Sequence, residues 1–393
     1  MRFKSLRDAD VRGKRVLLRE DLNVPMKHGA IADETRITAA LPTLRWLREQ
    51  GARTVILSHL GRPEGKPNPK YSLRPLAPRL SELLGTEVRF VEDCVGDAAV
   101  AASKALADGG FALFENVRFH PEEERNDPAF ARELAKAGDL YVNDAFGTAH
   151  RAHASTAGVA ADLPSYAGFL MEAELAALAR LTENPAHPFV CAIGGAKVVD
   201  KVGVFEHLLA KVDAFVIGGG MANTFLAAQG IEVGASLRDP DLVPAQRIIA
   251  MSLSKGVMLH LPTDAVVADA FDADGTARTV SLEQVGEGMI LDIGPQTARA
   301  YADVLRNAKT IVFNGPMGVY EKPAYRNGTR VVGEAIAEAT RGGAVSVVGG
   351  GDAAAAAHEL GFADAMTHVS TGGGATLEFL EGKTLPGVAA LER

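Results

Sequence analysis

Short, uninterrupted apolar runs alternate with alanine-rich, helix-favouring stretches along almost the whole chain. Strands buried on both faces read as continuous apolar runs, and parallel neighbours need helical crossovers, so this rhythm predicts an α/β fold with parallel sheets. In the first half strands are expected at 15–19, 54–58, 111–115 and 140–143. In the second half they are expected at 189–193, 214–217, 257–261, 310–313 and 345–348. Helices are expected at 41–50 and 74–84, with Gly51 and Gly85 placed as C-caps. At 393 residues the chain exceeds twice the ~150-residue domain prior, so two domains are expected. The helix former at 170–183, stopped by Asn184 and Pro185, is the expected connector. The expected domains are then 1–169 and 170–383.

Charge narrows the choice of partners. With 41 Lys and Arg against 49 Asp and Glu, the net charge of −8 argues against a general polyanion binder, so any anion site must be assembled locally. No nucleic-acid partner is expected. The two cysteines, Cys94 and Cys191, lie far apart, which supports neither a disulfide framework nor a thiolate metal site and suits a reducing compartment. The start of the chain is charged and lacks a signal-peptide apolar stretch, and the most apolar window, 212–226, carries Asp213 and three consecutive glycines. A cytoplasmic protein with no membrane partner is expected.

In open α/β sheets ligands sit beyond the carboxyl ends of the strands, so the residues after each run are informative. After the first-half runs come Asp21 and Asn23, then His59, Gly61 and Arg62, then Arg118, then His150, Arg151 and His153, and Arg36 stands before an expected helix. Guanidinium groups grip phosphate and carboxylate through paired hydrogen bonds, so several arginines at one rim imply a small, multiply charged anion. Competing readings remain at individual positions. Asp21 and Asn23 also suit an Asx turn before Pro25, and His150 with His153 could seed a metal site that lacks a third ligand nearby.

The second half puts glycine where the first puts charge: Gly194-Gly195-Ala196-Lys197, Gly218-Gly219-Gly220, Asn314-Gly315-Pro316 and Gly349-Gly350-Gly351-Asp352. Such junctions let backbone N–H groups approach a phosphate at a helix N-terminus, which suggests nucleotide binding, although no P-loop or dinucleotide fingerprint is present. On a helix starting near Ala196, Lys197 and Lys201 would share one face and clamp phosphate oxygens. An exposed lysine pair competes, more strongly for Lys201. Asp352 suits either an N-cap or a Mg²⁺ ligand, and Glu321 either a ribose contact or a plain surface carboxylate.

Together these residues resemble the phosphoglycerate kinase family over essentially the whole chain. The resemblance rests on Arg19-Glu-Asp-Leu-Asn-Val-Pro25, Ser58-His-Leu-Gly-Arg-Pro63, Glu115-Asn-Val-Arg-Phe119 and Asn143-Asp-Ala-Phe-Gly-Thr-Ala-His-Arg-Ala-His153. It continues through Gly194-Gly-Ala-Lys-Val198, Asn314-Gly-Pro-Met-Gly-Val319, Gly349-Gly-Gly-Asp352 and Ser370-Thr-Gly-Gly-Gly-Ala375. It implies two doubly wound, Rossmann-like domains joined by a helix and bending at a hinge, with the segment 384–393 returning to the first domain.

By motif position, the resemblance assigns Asp21, Leu22, Asn23, Arg36, His59, Leu60, Gly61, Arg62, Arg118 and Arg151 to 3-phosphoglycerate. It assigns Gly195, Ala196, Lys197, Lys201, Gly219, Asn314, Pro316, Glu321, Gly350, Gly351, Asp352 and Ala353 to ADP or ATP, with Mg²⁺ on Asp352. Arg36, Lys197, Gly350 and Gly373 are the implied catalytic positions. The implied reaction is reversible transfer of the acyl phosphate of 1,3-bisphosphoglycerate to ADP by a monomer. Another nucleotide-dependent kinase of a small carboxylate, or a nucleotide-regulated anion-binding module, are the alternatives. Two departures stand out: Ala353 where the family usually has Thr or Ser, and Glu20 and Leu22 where Val and Phe are common.

Overall fold

The computed structural model describes residues 3–392. The chain forms two compact units, one built from residues up to Leu175 together with Thr384 onward, the other from Ala176–Lys383. The helix Phe169–Thr182 carries the chain from one to the other.

The first unit is a six-stranded parallel sheet. Its strands are β1 (Arg15–Arg19), β2 (Arg53–Leu57), β3 (Val88–Val91), β4 (Phe111–Phe114), β5 (Leu140–Asn143) and β6 (Ser165–Ala167), in the spatial order β3-β4-β2-β1-β5-β6. The central strands are buried apart from the half-buried Arg15 and Arg53 that open β1 and β2, as their continuous apolar runs require. In register, Arg19 at the end of β1 lies between Leu57 of β2 and Asn143 of β5. β3 and β6 fall outside the expected set because they are edge strands: Arg89 is exposed in one, and the other is a three-residue Ser-Tyr-Ala run. The helix expected at 41–50 begins earlier, at Thr35, where Asp33 Oδ1 accepts from Thr35 N–H at 2.7 Å. Pro42 sits in the helix interior. Gly85 takes the left-handed conformation (φ 61°) expected of a C-cap. The returning segment packs back here: Gly387 N–H donates to Ala149 O at 2.8 Å, and Leu385, Val388 and Leu391 are buried.

The second unit repeats the principle with β7 (Phe189–Ile193), β8 (Ala214–Ile217), β9 (Met258–His260), β10 (Asp264–Ala268), β11 (Arg278–Ser281), β12 (Met289–Ile293), β13 (Thr310–Asn314), β14 (Val345–Val348) and β15 (His368–Val369). Six of these form a parallel sheet in the order β9-β8-β7-β13-β14-β15, whose direction of winding reverses between β7 and β13. That reversal opens a crevice at the carboxyl ends of the two strands, the preferred ligand position in such sheets. The other three form an antiparallel sheet, β11-β10-β12, that the reading of a purely parallel fold did not anticipate. Among the described residues no helix is long and apolar enough to cross a membrane.

Glu20 is fully buried beside Asp144, itself fully buried. Burial, and next the charge of Asp144, push the Glu20 carboxyl well up, while burial pushes Asp144 up to about 6. Two carboxyls in one apolar site hold a proton between them. The folded state therefore keeps protons that the unfolded chain has released, and stability falls as pH rises from the ordinary carboxylate range through about 6. Glu20→Gln, which cannot ionise, is expected to raise the thermal midpoint at pH 8 by about 2–4 °C more than at pH 5, corresponding to roughly 1 kcal/mol. Thermal melts of the two proteins across that range measure it, and parallel curves would refute the shared proton.

Candidate functional site

Parallel strands deliver their carboxyl ends to one edge, and in the first unit that edge is crowded with cations. Arg19 is fully buried. Its Nε donates to Ser155 Oγ at 2.8 Å, Nη1 to the Glu20 carbonyl, and Nη2 to His59 Nδ1 at 3.1 Å. An arginine only donates, so His59 Nδ1 accepts and its hydrogen sits on Nε2. Burial first, and then Arg19, Arg118, Arg36 and Arg151, hold the His59 pKa well below its ordinary value. Burial, and then Arg118, Arg19, Arg151 and His150, bring buried His153 down to about 3. Both imidazoles are thus neutral at physiological pH.

Arg118 is buried, with Nη1 donating to Gly61 O at 2.9 Å. Nε lies 3.4 Å from Glu124 Oε1 outside hydrogen-bonding geometry, and among the described residues neither Nε nor Nη2 has a hydrogen-bond partner. Burial, reinforced by Arg19 and Arg151, lowers its pKa to about 10. A guanidinium so starved of acceptors calls for an anion. Glu123, fully buried, is a partial counterion. It accepts from Ser155 N–H at 2.8 Å and Ser155 Oγ at 2.5 Å, and burial raises its pKa against the pull of Arg19.

The remaining rim residues divide by role. Arg36 pairs with Asp21, whose Oδ1 also accepts from Asn23 N–H at 3.2 Å; the Asx turn therefore forms, and it presents the side chain of Asn23, which accepts from Gly61 N–H at 2.8 Å. Arg62 is exposed, and half-buried Arg151 donates from Nε to His150 Nε2 at 3.2 Å. Leu22 and Leu60 face the apolar core, so their side chains back the rim without polar contact. Among the described residues the one His, Cys, Asp or Glu group spaced for a metal is Asp93, Cys94 and His120, with ligand atoms within 4.8 Å. His150 and His153 do not form one. The fold thus brings His120 to the adjacent Asp93 and Cys94, a meeting that sequence spacing does not reveal.

In the second unit the crevice between β7 and β13 is closed by backbone. A Cβ on Gly194 would stand 2.0 Å from Pro316 O, and one on Gly219 2.7 Å from Gly195 O, so glycine is required for the loops to touch. Gly194 N–H donates to Asn314 O at 3.2 Å and Gly219 N–H to Met317 O at 2.9 Å. These two N–H groups brace loops and are not available to a phosphate, contrary to the sequence expectation. The first three N–H groups of the helix Gly351–Glu359, those of Gly351, Asp352 and Ala353, have no acceptor within the helix. Ala353 packs its methyl into the core, so what it offers outward is that N–H.

The paired-lysine expectation needs correction. No helix starts near Ala196; a 3-10 turn at Val199–Lys201 precedes the helix Val202–Leu208. Lys197 therefore lies in an exposed loop, whereas Lys201 turns inward and donates from Nζ to Gly194 O and Asn314 O, both at 2.8 Å. Burial lowers Lys201 to about 8. Lys201 is a buttress under the crevice and not an exposed lysine.

A cavity of about 520 Å³ opens above these loops, within the range of small-ligand sites. Gly195, Ala196, Gly219 and Pro316 line one side, Phe271, Met289 and Leu291 from the antiparallel sheet region another, and Glu321 and Asp352 supply carboxylates. Asn314 lies beneath, its Nδ2 donating to Gly349 O at 2.7 Å. Gly350 caps the helix Gly351–Glu359 at φ 97°, and Gly373 precedes the helix Gly374–Leu380 at φ 50°. Asp352 lies in the first turn of its helix instead of capping it, and its exposed carboxylate makes no hydrogen bond or ion pair among the described residues. Such a hard oxygen donor fits a divalent cation like Mg²⁺. Sequence reasoning missed Arg19, Glu123 and Ser155 as parts of the cationic site. The available signal was Arg19 itself, a charge closing the apolar run Val16–Leu18.

The family model described as phosphoglycerate kinase matches residues 6–383. The phosphoglycerate kinase of Chloroflexus aurantiacus is 56% identical over 397 aligned residues, covering 100% of this chain and 99% of that protein. That of Pelotomaculum thermopropionicum is 54% identical with the same coverage. Among solved structures, phosphoglycerate kinase from Coxiella burnetii superposes with a TM-score of 0.90 at 45% identity, covering 99% of both chains. The enzyme from Pyrococcus horikoshii gives 0.82 at 36% identity, covering 99% of this chain and 98% of the other.

The charge crowding is directly measurable. Arg118→Met is expected to move the His153 pKa upward from about 3, as followed by imidazole resonances against pH. An unmoved His153 would mean that Arg118 contributes nothing to its value and that burial and the remaining cations set it.

Proposed function

This chain belongs to the phosphoglycerate kinase family, and we propose from that premise which of its residues carry each part of the reaction. The enzyme is a phosphotransferase with a carboxyl acceptor. It moves the acyl phosphate of 1,3-bisphosphoglycerate to ADP, reversibly, giving 3-phosphoglycerate and ATP in glycolysis. We assign the triose to the first unit and the nucleotide to the second.

The observation that carries the triose assignment is Arg118, a buried guanidinium with Nε and Nη2 unpartnered amid Arg19, Arg36 and Arg151. A phosphate or carboxylate supplies the missing acceptors, with Asn23 and the Nε2–H of His59 orienting hydroxyl or phosphate oxygens. The apolar cavity beside the braced glycine loops supports the nucleotide assignment: base against Phe271 and Leu291, ribose toward Glu321, phosphates toward the N–H groups opening the helix Gly351–Glu359. We assign Mg²⁺ to Asp352, where it would offset phosphate charge.

The acceptor carboxylate of 3-phosphoglycerate is ionised at neutral pH, its kind titrating near ~4, so the reverse reaction needs no general base. Neutral His59 and His153 suit that requirement: they donate without competing for a proton. What remains is positioning and charge compensation for the transferred phosphoryl group, to which we assign Arg36, held by Asp21, on the triose side and exposed Lys197 on the nucleotide side. We also read the enzyme as a cytoplasmic monomer. Its two cysteines are buried free thiols, which suits a reducing compartment, and each proposed site draws on a single chain. Light scattering at 41.3 kDa would agree with a monomer.

A coupled assay of ATP formation from 1,3-bisphosphoglycerate tests the whole reading. In it, Arg118→Met is expected to raise KM for the triose at least ten-fold and leave KM for ADP unchanged, because a hydrogen bond to a charged group is worth about 1.5–3 kcal/mol. Equal rises in both constants would separate Arg118 from the triose. Lys197→Ala should lower kcat by roughly 10², and an unaltered kcat would remove Lys197 from the transition state.

A further inference from the structure

Lys322 follows Glu321 in sequence, and its ammonium spends all three hydrogens on one loop. Nζ donates to the Phe271 carbonyl at 2.6 Å, Asp272 Oδ1 at 3.0 Å and Asp274 Oδ1 at 3.1 Å, and it stands 4.4 Å from the centre of the Phe271 ring. That loop joins β10 to β11, and Arg278 with Asp269 closes its base at 2.8 Å. Asp272 and Asp274 together hold the lysine in its charged form.

Phe271 is 46% exposed, an unusual setting for a large ring, yet it forms part of the cavity wall, as do Glu321 and Lys322. Core packing alone does not fix a half-exposed ring. The ammonium does so from both ends: its hydrogen bond fixes the backbone of residue 271, and its charge sits over the ring. With its hydrogens committed, Lys322 has none left for a phosphate.

We propose that Lys322 is a positioning residue for the nucleoside. It clamps the 271–274 loop to the segment bearing Glu321, so that the ring of Phe271 stands ready as a wall for the base. This rests on the reading that the nucleotide occupies this cavity. A preset wall lowers the ordering cost of binding and leaves the transfer step untouched.

The test uses the full-length enzyme. Lys322→Met keeps a chain of similar length over the ring but removes the charge; circular dichroism and the thermal midpoint establish that it folds. Surface ion pairs are individually weak, but three contacts share one ammonium, so Kd and KM for ADP are expected to rise about five-fold. The value of kcat at saturating ADP, and KM for 1,3-bisphosphoglycerate, should stay as in the parent. Binding of inorganic tripolyphosphate, which has no base to stack, should also be unchanged. Asp272→Asn with Asp274→Asn should reproduce the loss, and Lys322→Arg should restore most of the affinity. An unchanged Kd for ADP in Lys322→Met, or an equal loss for tripolyphosphate, overturns the clamp. Phe271→Ala distinguishes the two levels: if it too binds ADP like the parent, the cavity reading fails and the clamp with it, whereas a weakened Phe271→Ala beside an unaffected Lys322→Met overturns the clamp alone.

Discussion

Like charges held together in a buried place repel, and the first unit is organised around that repulsion. Arg19, Arg118, Arg36 and Arg151 all act on His59. The protein neutralises only part of this field: Glu123 lies near Arg19, Asp21 pairs with Arg36, and Glu124 stands 3.4 Å from Arg118. Buried cations short of acceptors raise the free energy of the empty site, and a multiply charged anion lowers it by supplying them. The same field keeps His59 and His153 neutral, so the histidines serve as fixed donors and not as titrating groups. Affinity for the anion and neutrality of the imidazoles therefore have one cause.

The second unit solves a different problem with little charge. A nucleotide needs an apolar face for its base and backbone N–H groups for its phosphates, and both require loops to come very near one another. Gly194 and Gly219 make that approach possible, and their own N–H groups lock it. Lys201 completes the lock by tying the ends of β7 and β13 through two carbonyls. Exposed Lys197, beside the Gly194–Ala196 loop, and exposed Asp352, on the cavity wall, are then left for the ligand and its cation. Lysine thus has three settings here: a buttress at 201, an exposed cation at 197 and a clamp at 322.

How far the sequence alone could be read depends on how local each signal is. The buried strands β1, β2, β4, β5, β7, β8, β13 and β14 were legible because a strand covered on both faces is apolar throughout. The antiparallel sheet was not: β11 runs Arg-Thr-Val-Ser and is almost wholly exposed, and the short runs of β10 and β12 carry no local sign that they pair antiparallel. Asp21, His59, Arg62 and Arg118 were legible as the residues after strands. Lys201 was misread because a 3-10 turn at Val199–Lys201 replaces the helical spacing that would have put it beside Lys197. Arg19 and Ser155 meet across 136 positions, and Lys322 and Phe271 across 51, distances over which no local pattern in the sequence carries information.

Position 20 shows how a departure in the most recognisable motif can be energetically costly and still leave the site alone. Its neighbours Arg19 and Asp21 reach His59 and Arg36, whereas the Glu20 side chain meets Asp144, whose Oδ1 accepts from Met171 N–H at 3.0 Å. Side chains alternate along extended backbone, so a change at 20 acts on the side away from the cationic rim. The backbone contribution of residue 20 is independent of its side chain: its carbonyl accepts from Arg19 and from Ser58 Oγ at 2.9 Å, and these bonds help to set the rim. A non-proline residue at 20 can keep them, since they use only its backbone. A carboxyl there consequently changes the proton balance around the start of the helix Phe169–Thr182 and not the geometry offered to the triose, which is why it can coexist with Arg19, Asp21 and Asn23 in their motif positions.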